Sequence, residues 1–161
     1  MTSVPKPATP LPFSMFPRYR AESSASDYFY YSSDISQDGR FYYATLTTGN
    51  HIACLDISDL NNIKRLDDPD EDQPTVGPHY VKITPDQKHL VVTDYFVQTG
   101  EIGIVNTPAD FKAQYIDINE DGSLAFNRTI DFSKEFSDRG GAKPHSSVVF
   151  DLTDPENPLY Y

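Results

Sequence analysis

Two histidines in this chain share one local setting. His79 follows Gly77-Pro78 and His145 follows Lys143-Pro144, and each Pro-His pair leads into a run of β-forming residues. If the two pairs open equivalent strand units, both imidazoles point toward the same end of the fold. Imidazole nitrogens converging in that way are natural ligands for copper, zinc or iron. Imidazole is also the side chain most readily tuned for proton transfer near neutral pH. A plainer reading of the same residues is architectural: Pro-His shapes the start of a strand, and the ring bonds a nearby carbonyl. His79 and His145 are therefore the candidate metal ligands, and no residue stands out as catalytic in its own right.

The other chemistry-bearing residues carry weaker signals. His51 begins a strand after a turn, and His89 follows the turn residues Asp86-Gln87-Lys88, which places it at the surface. Cys54 is the single cysteine, so no intramolecular disulfide can form. It lies in the strand-like run His51–Ile57, where a buried, inert thiol is expected, with His51 the nearby candidate for activating it. Arg139-Gly140-Gly141-Ala142 precedes Lys143-Pro144-His145, and a basic cluster beside His145 would steer an anion. That stretch is not a phosphate-cradling loop, because neither a helix pattern nor a Lys-Ser/Thr ending follows it. No Gly-x-Ser-x-Gly elbow, Cys-x-x-Cys pair or His-Glu-x-x-His helix occurs.

The elements that must position these residues announce themselves by repetition. Ser33-Asp34-Ile35-Ser36-Gln37-Asp38-Gly39-Arg40-Phe41-Tyr42-Tyr43-Ala44-Thr45 is echoed, 48 positions later, by Val81-Lys82-Ile83-Thr84-Pro85-Asp86-Gln87-Lys88-His89-Leu90-Val91-Val92-Thr93. Each version is a short strand, an acidic turn and a second β-rich run that closes on threonine. A period of about 40–50 residues built from hairpins is the signature of propeller blades. In this register Tyr30-Tyr31 stand where Pro78-His79 stand one unit later, so the first unit lacks the histidine.

Composition agrees with many short strands. Eleven Tyr and ten Phe, with thirteen Pro and eight Gly as punctuation, favour half-buried strands and loops over helices. The expected fold class is all-β, a partial β-propeller of two blades plus the start of a third, preceded by an irregular Pro-rich N-terminal arm. The arm is residues 1–26, where Pro5, Pro7, Pro10, Pro12 and Pro17 exclude a regular helix or a central strand. The propeller domain is residues 27–161, with blade-like units at 27–66 and 76–132 and the start of a third at 144–161. Within the first unit, strands are expected at Tyr28–Ile35, Phe41–Leu46, His51–Ile57 and Ile63–Leu66. The second has strands through Thr93, at Ile102–Val105 and at Tyr115–Ile118, and then two short runs, Leu124–Phe126 and Thr129–Phe132. Between the units, the carboxylate-rich run Asp67–Pro74 reads as a solvated loop; its spacing does not fit an EF-hand calcium site.

A formal charge of −11 argues against a phosphate-binding surface, so no nucleic-acid partner is expected. No apolar run is long enough for a membrane span. Met1–Pro7 lacks the apolar core of a secretory signal, which makes the cytoplasm the expected location and the Asn127-Arg128-Thr129 sequon incidental.

The order of the segments is similar to that of a known family. Ser36–Tyr43 followed by Leu55–Asp59 resembles a blade of the selenium-binding protein (methanethiol oxidase) family, and Gly77–Asp94 resembles the blade after it. Gly122–Phe132 and the approach from Arg139 to His145 continue the likeness, which spans residues 27–152 and corresponds to the C-terminal part of a longer propeller. The resemblance implies a seven-bladed β-propeller and copper-dependent oxidation of methanethiol to formaldehyde, hydrogen sulfide and hydrogen peroxide. It matches His145 best to a family histidine and His79 second. The family's N-terminal blades, with their reactive cysteine segment, have no counterpart here.

Three functions are therefore open. The chain is a copper-dependent oxidase of small thiols, completed by self-association or by blades from another chain. Alternatively, it is a noncatalytic propeller-type binding module, or a degenerate fragment without activity whose unpaired strand edges associate.

Overall fold

The computed structural model describes residues 30–95, the backbone of 98–99 and 105–106, and residues 111–160. The expected arm at 1–26 and most of the segment around Ile102–Val105 lie outside these. The chain is mostly β. In order, the strands are β1 (Tyr30–Ile35), β2 (Phe41–Leu46), β3 (His51–Asp56), β4 (Lys64–Arg65), β5 (Pro78–Ile83), β6 (His89–Asp94), β7 (Gln98–Thr99), β8 (Val105–Asn106), β9 (Lys112–Ile118) and β10 (Leu124–Asp131). A single helical turn, α1 (Phe132–Glu135), and two short strands, β11 (Phe150–Asp151) and β12 (Leu159–Tyr160), follow.

Two four-stranded antiparallel meanders dominate. The first runs β1-β2-β3-β4; the second runs β5-β6-β9-β10, with the β7–β8 ribbon inserted between its middle strands. The two runs expected at Leu124–Phe126 and Thr129–Phe132 are one strand, β10, with a register shift between Phe126 and Arg128. The stretch after Pro144 forms no sheet of comparable size: β11 and β12 pair through two residues each.

The repeat holds at the level of atoms. In β1–β2 the partners are Tyr30↔Leu46, Ser33↔Ala44, Asp34↔Tyr43 and Ile35↔Tyr42. In β5–β6 they are Pro78↔Asp94, Val81↔Val92, Lys82↔Val91 and Ile83↔Leu90, each 48 residues on, with the register irregularity at the same place. The turns match as well. Asp38 accepts from Ser36 Oγ at 2.6 Å and from the Arg40 amide; Asp86 accepts from Thr84 Oγ1 at 2.6 Å and from the Lys88 amide. Such carboxylate-closed turns need one left-handed residue, which is Gly39 (φ 73°) in the first and Gln87 (φ 61°) in the second.

The core forms between unlike faces of the two sheets. Phe41, Tyr43, Ile52 and Cys54 point from the first sheet onto Val81, Ile83, Leu90, Val92 and Ile116 of the second. Residues 41 and 43 have register equivalents 89 and 91, which lie on the far face of the second sheet. The sheets therefore stack front to back, as copies related by a repeated step. The third hairpin turn completes the seam. The Gly122 carbonyl accepts from Tyr43 Oη at 3.1 Å and from Cys54 Sγ at 2.8 Å, and a Cβ on Gly122 would sit 2.3 Å from the Phe41 ring.

The acidic loop is not uniformly solvated. Strand β4 pairs only with Leu55 and Asp56, so the upper part of β3 needs other partners. Side chains supply them: Asp67 Oδ1 accepts from the Cys54 amide at 2.7 Å, and Gln73 Oε1 accepts from the Ile52 amide at 2.7 Å. Asp67 Oδ2 also accepts from His51 Nε2 at 2.7 Å and from Arg65. Burial alone would raise the Asp67 pKa, but these hydrogen bonds outweigh it and hold the carboxyl below its usual range. Asp67 and His51, expected at the surface or in an ordinary strand start, are thus a buried pair that substitutes for a strand.

Candidate functional site

His79 is the second residue of β5 and is buried; His145 is exposed, in the stretch before β11 that has no regular structure. The fold brings them together, with the two Nε2 atoms 3.0 Å apart. At that distance the two ring nitrogens are within hydrogen-bond reach of each other, the donor and acceptor roles depending on the tautomers.

Equivalent threonines place both histidines. Thr45, near the end of β2, donates its hydroxyl to the carbonyls of His79 and Ser32, each at 3.1 Å. Thr93, 48 residues later in β6, donates to the carbonyl of His145 at 3.2 Å. Each threonine thus anchors the histidine of the unit stacked on it, and His145 stands to the second sheet as His79 stands to the first. The Pro78-His79 start is fixed further by Thr47 Oγ1, which donates to the Pro78 carbonyl at 2.7 Å, and by the Asn50 side chain, which accepts from the Gly77 amide at 2.8 Å.

Two tyrosines wall the pair. The ring of Tyr31, the residue in the histidine slot of the first unit, stacks on His79 with centroids 3.3 Å apart and planes 25° from parallel. Tyr95 meets both imidazoles edge-on, at 5.2 Å from His79 and 4.5 Å from His145. Tyr31 was legible as a break in the repeat but not as a wall of the site. Tyr95 carried no signal, because it falls in the connection after β6. Next to it, Asp94 is fully buried and accepts from Thr75 Oγ1 at 2.5 Å, the Val76 amide at 3.0 Å and Gln114 Nε2 at 3.1 Å. Burial among these neutral donors raises its pKa. The carboxylate ties down the loop that delivers His79.

The remaining candidates lie elsewhere. His89 Nδ1 bonds Asp117 at 2.8 Å and its ring stacks on Tyr115, half-buried on the far face of the second sheet. Cys54 is fully buried, its thiol donates to the Gly122 carbonyl, and burial raises its pKa, so it is inert. The cations expected to steer anions toward His145 are engaged otherwise: Arg139 pairs with Asp138 at 3.4 Å, and Lys143 lies 5.0 Å over the Phe111 ring. Among the described residues, no group of three or more His, Cys, Asp or Glu is arranged to hold a metal ion. No helix among them is long and apolar enough to cross a membrane. Comparison with family models, curated proteins and solved structures gave no match to this chain.

Proposed function

We propose that the two meanders are successive blades of a β-propeller, and that His79 and His145 hold copper at their shared end in an oxidase of small thiols, of the selenium-binding protein (methanethiol oxidase) kind. The observation that carries this reading is the 3.0 Å approach of the two Nε2 atoms. With a nitrogen–metal bond of ~2.0 Å, nitrogens at that separation subtend about a right angle, which suits adjacent positions on a tetragonal copper ion. Copper there would supply a redox couple and a soft site for a thiolate sulfur. The protein's part is to hold the two rings: Tyr31 fixes the plane of His79 by stacking, and Thr93 pins the backbone of His145. The propeller half of the reading is supported by the identical register of the two hairpins, their front-to-back stacking and the repeated threonine anchors. Further sheet, from other copies or another chain, would then cover Val148, Phe150, Leu152, Leu159 and Tyr160, all more than half exposed.

A noncatalytic binding module is the second reading, favoured by the missing third ligand and by the aromatic walls. Titration with copper separates the two. The oxidase reading expects about one ion per chain, lost when His79→Ala and His145→Ala are combined. Wild-type protein that takes up no copper, or a double variant that binds as well as wild type, overturns it. A protein partner retained by the double variant establishes the second reading instead.

A further inference from the structure

At the other end of β1 and β5 from Tyr31 and His79, the three hairpin turns border an open cavity of about 490 Å³, within the ~300–1,000 Å³ usual for small-molecule sites. Its floor is apolar: Phe41, Tyr43 and Ile118. Tyr43 presents only its ring, since its hydroxyl is spent on the Gly122 carbonyl. Two cations, Arg40 and Lys88, line the cavity from equivalent positions in the first two turns. Neither forms an ion pair with a described residue. The Arg40 guanidinium lies 4.8 Å over the ring of Phe41 and also helps to lower the pKa values of Asp38 and Asp56 nearby. Two cations without a direct ion pair, each beside the aspartate of its own turn, thus stand over an aromatic floor in a chain of net charge −11.

We infer that this cavity binds a small carboxylate with an apolar body, the carboxylate received by Arg40 and Lys88 and the body laid on Phe41 and Ile118. Two carboxylates also line it, and they differ. Asp38 is committed to its own turn through Ser36 Oγ and the Arg40 amide. Glu120 holds no such bond among the described residues and opposes an anion from the rim. The site is independent of the histidine pair and does not require copper.

Phenylacetate serves as the probe, with phenylacetamide as its neutral isostere and inorganic phosphate as an anion without an apolar body. Saturable shifts of the Phe41 and Ile118 resonances are expected with phenylacetate, and with neither control. Arg40→Gln, an exposed position whose fold is checked by its melting temperature, should weaken binding by about tenfold or more, since a charge-assisted bidentate contact is lost. Lys88→Gln should weaken it less, and Glu120→Gln should tighten it by about twofold as a rim repulsion is removed. Phenylacetamide or phosphate binding as well as phenylacetate, an unaffected Arg40→Gln variant, or no saturable shift with phenylacetate would each overturn the inference.

Discussion

The first two hairpins are the same object in their turns and different objects at their opposite ends. At the turns, Ser36-Asp38-Arg40 and Thr84-Asp86-Lys88 make the same bonds at the same distances. At the strand starts, one unit offers Tyr31 and the other His79, and the two rings stack on each other. The repeat is strict where the backbone must reverse and loose where side chains meet. The buried aspartates diverge too. Asp67, just after the first unit, faces cations and is held below its normal pKa, while Asp94 of the second unit is raised by burial among neutral donors. The same residue type thus braces both sheets, with opposite responses to protons.

The largest effect should come from breaking the first brace. Asp67→Ala leaves His51 and Arg65 without their shared partner and should cost about 3–5 kcal/mol at neutral pH, read by urea unfolding. Because the folded pKa of Asp67 is depressed, its contribution is complete above the unfolded value of ~3.9 and fades as pH falls through the folded one. The Asp67→Ala penalty must therefore shrink in acid. Asp94 has the opposite sign. Its raised folded pKa makes ionisation a cost to folding that grows as pH rises from ~3.9 through the folded value. Asp94→Asn should accordingly compare best with wild type at neutral pH and worst in acid, when the two pH–stability curves are overlaid.

Two glycines of positive φ test the turns next. Gly39 has open space where a Cβ would go, so Gly39→Ala should lose only the ~1–2 kcal/mol of a left-handed alanine. Gly122→Ala adds a collision with the Phe41 ring and should lose roughly 3 kcal/mol in thermal or urea melts. Equal losses would mean that the third turn does not close on the first sheet. On the proposed copper reading, placing a histidine in the first unit sharpens the comparison at the other end: Tyr31→His should then raise copper affinity about tenfold, by competition with a chelator. The smallest differences concern the anchors. Thr45→Val should cost about 1–2 kcal/mol, since Thr45 is buried and also accepts from the Ser32 amide; Thr93→Val should cost about 1 kcal/mol or less.

Much of the fold was legible because turn chemistry is local. A Ser or Thr two residues before Asp, then a residue able to go left-handed, specifies a hairpin within five positions, and the offset of 48 carried the register with it. The loop at Asp67 was not legible, because its charge pattern shows neither the β3 amides it covers nor the cations that β3 and β4 bring to it. The histidine pair was half legible. The shared Pro-His setting identified both members, but their distance depends on the β2 and β6 threonines and on stacking that local sequence does not encode. Of the start of a third unit expected at 144–161, the described residues form the short pair β11–β12, which joins Phe150 to Tyr160 and Asp151 to Leu159.

The Gly122 carbonyl has a consequence for how the chain is made. It receives Tyr43 and Cys54 from 79 and 68 residues earlier. At ~5–20 residues per second of synthesis, the first sheet, complete at Arg65, waits roughly 3–11 s for the third turn. Through that interval the Tyr43 hydroxyl and the Cys54 thiol lack this acceptor, while Val81, Ile83, Leu90 and Val92, which cover the same face, are already made. The polar closure of the seam between the sheets is thus among the last contacts of the core to become available as the chain is made.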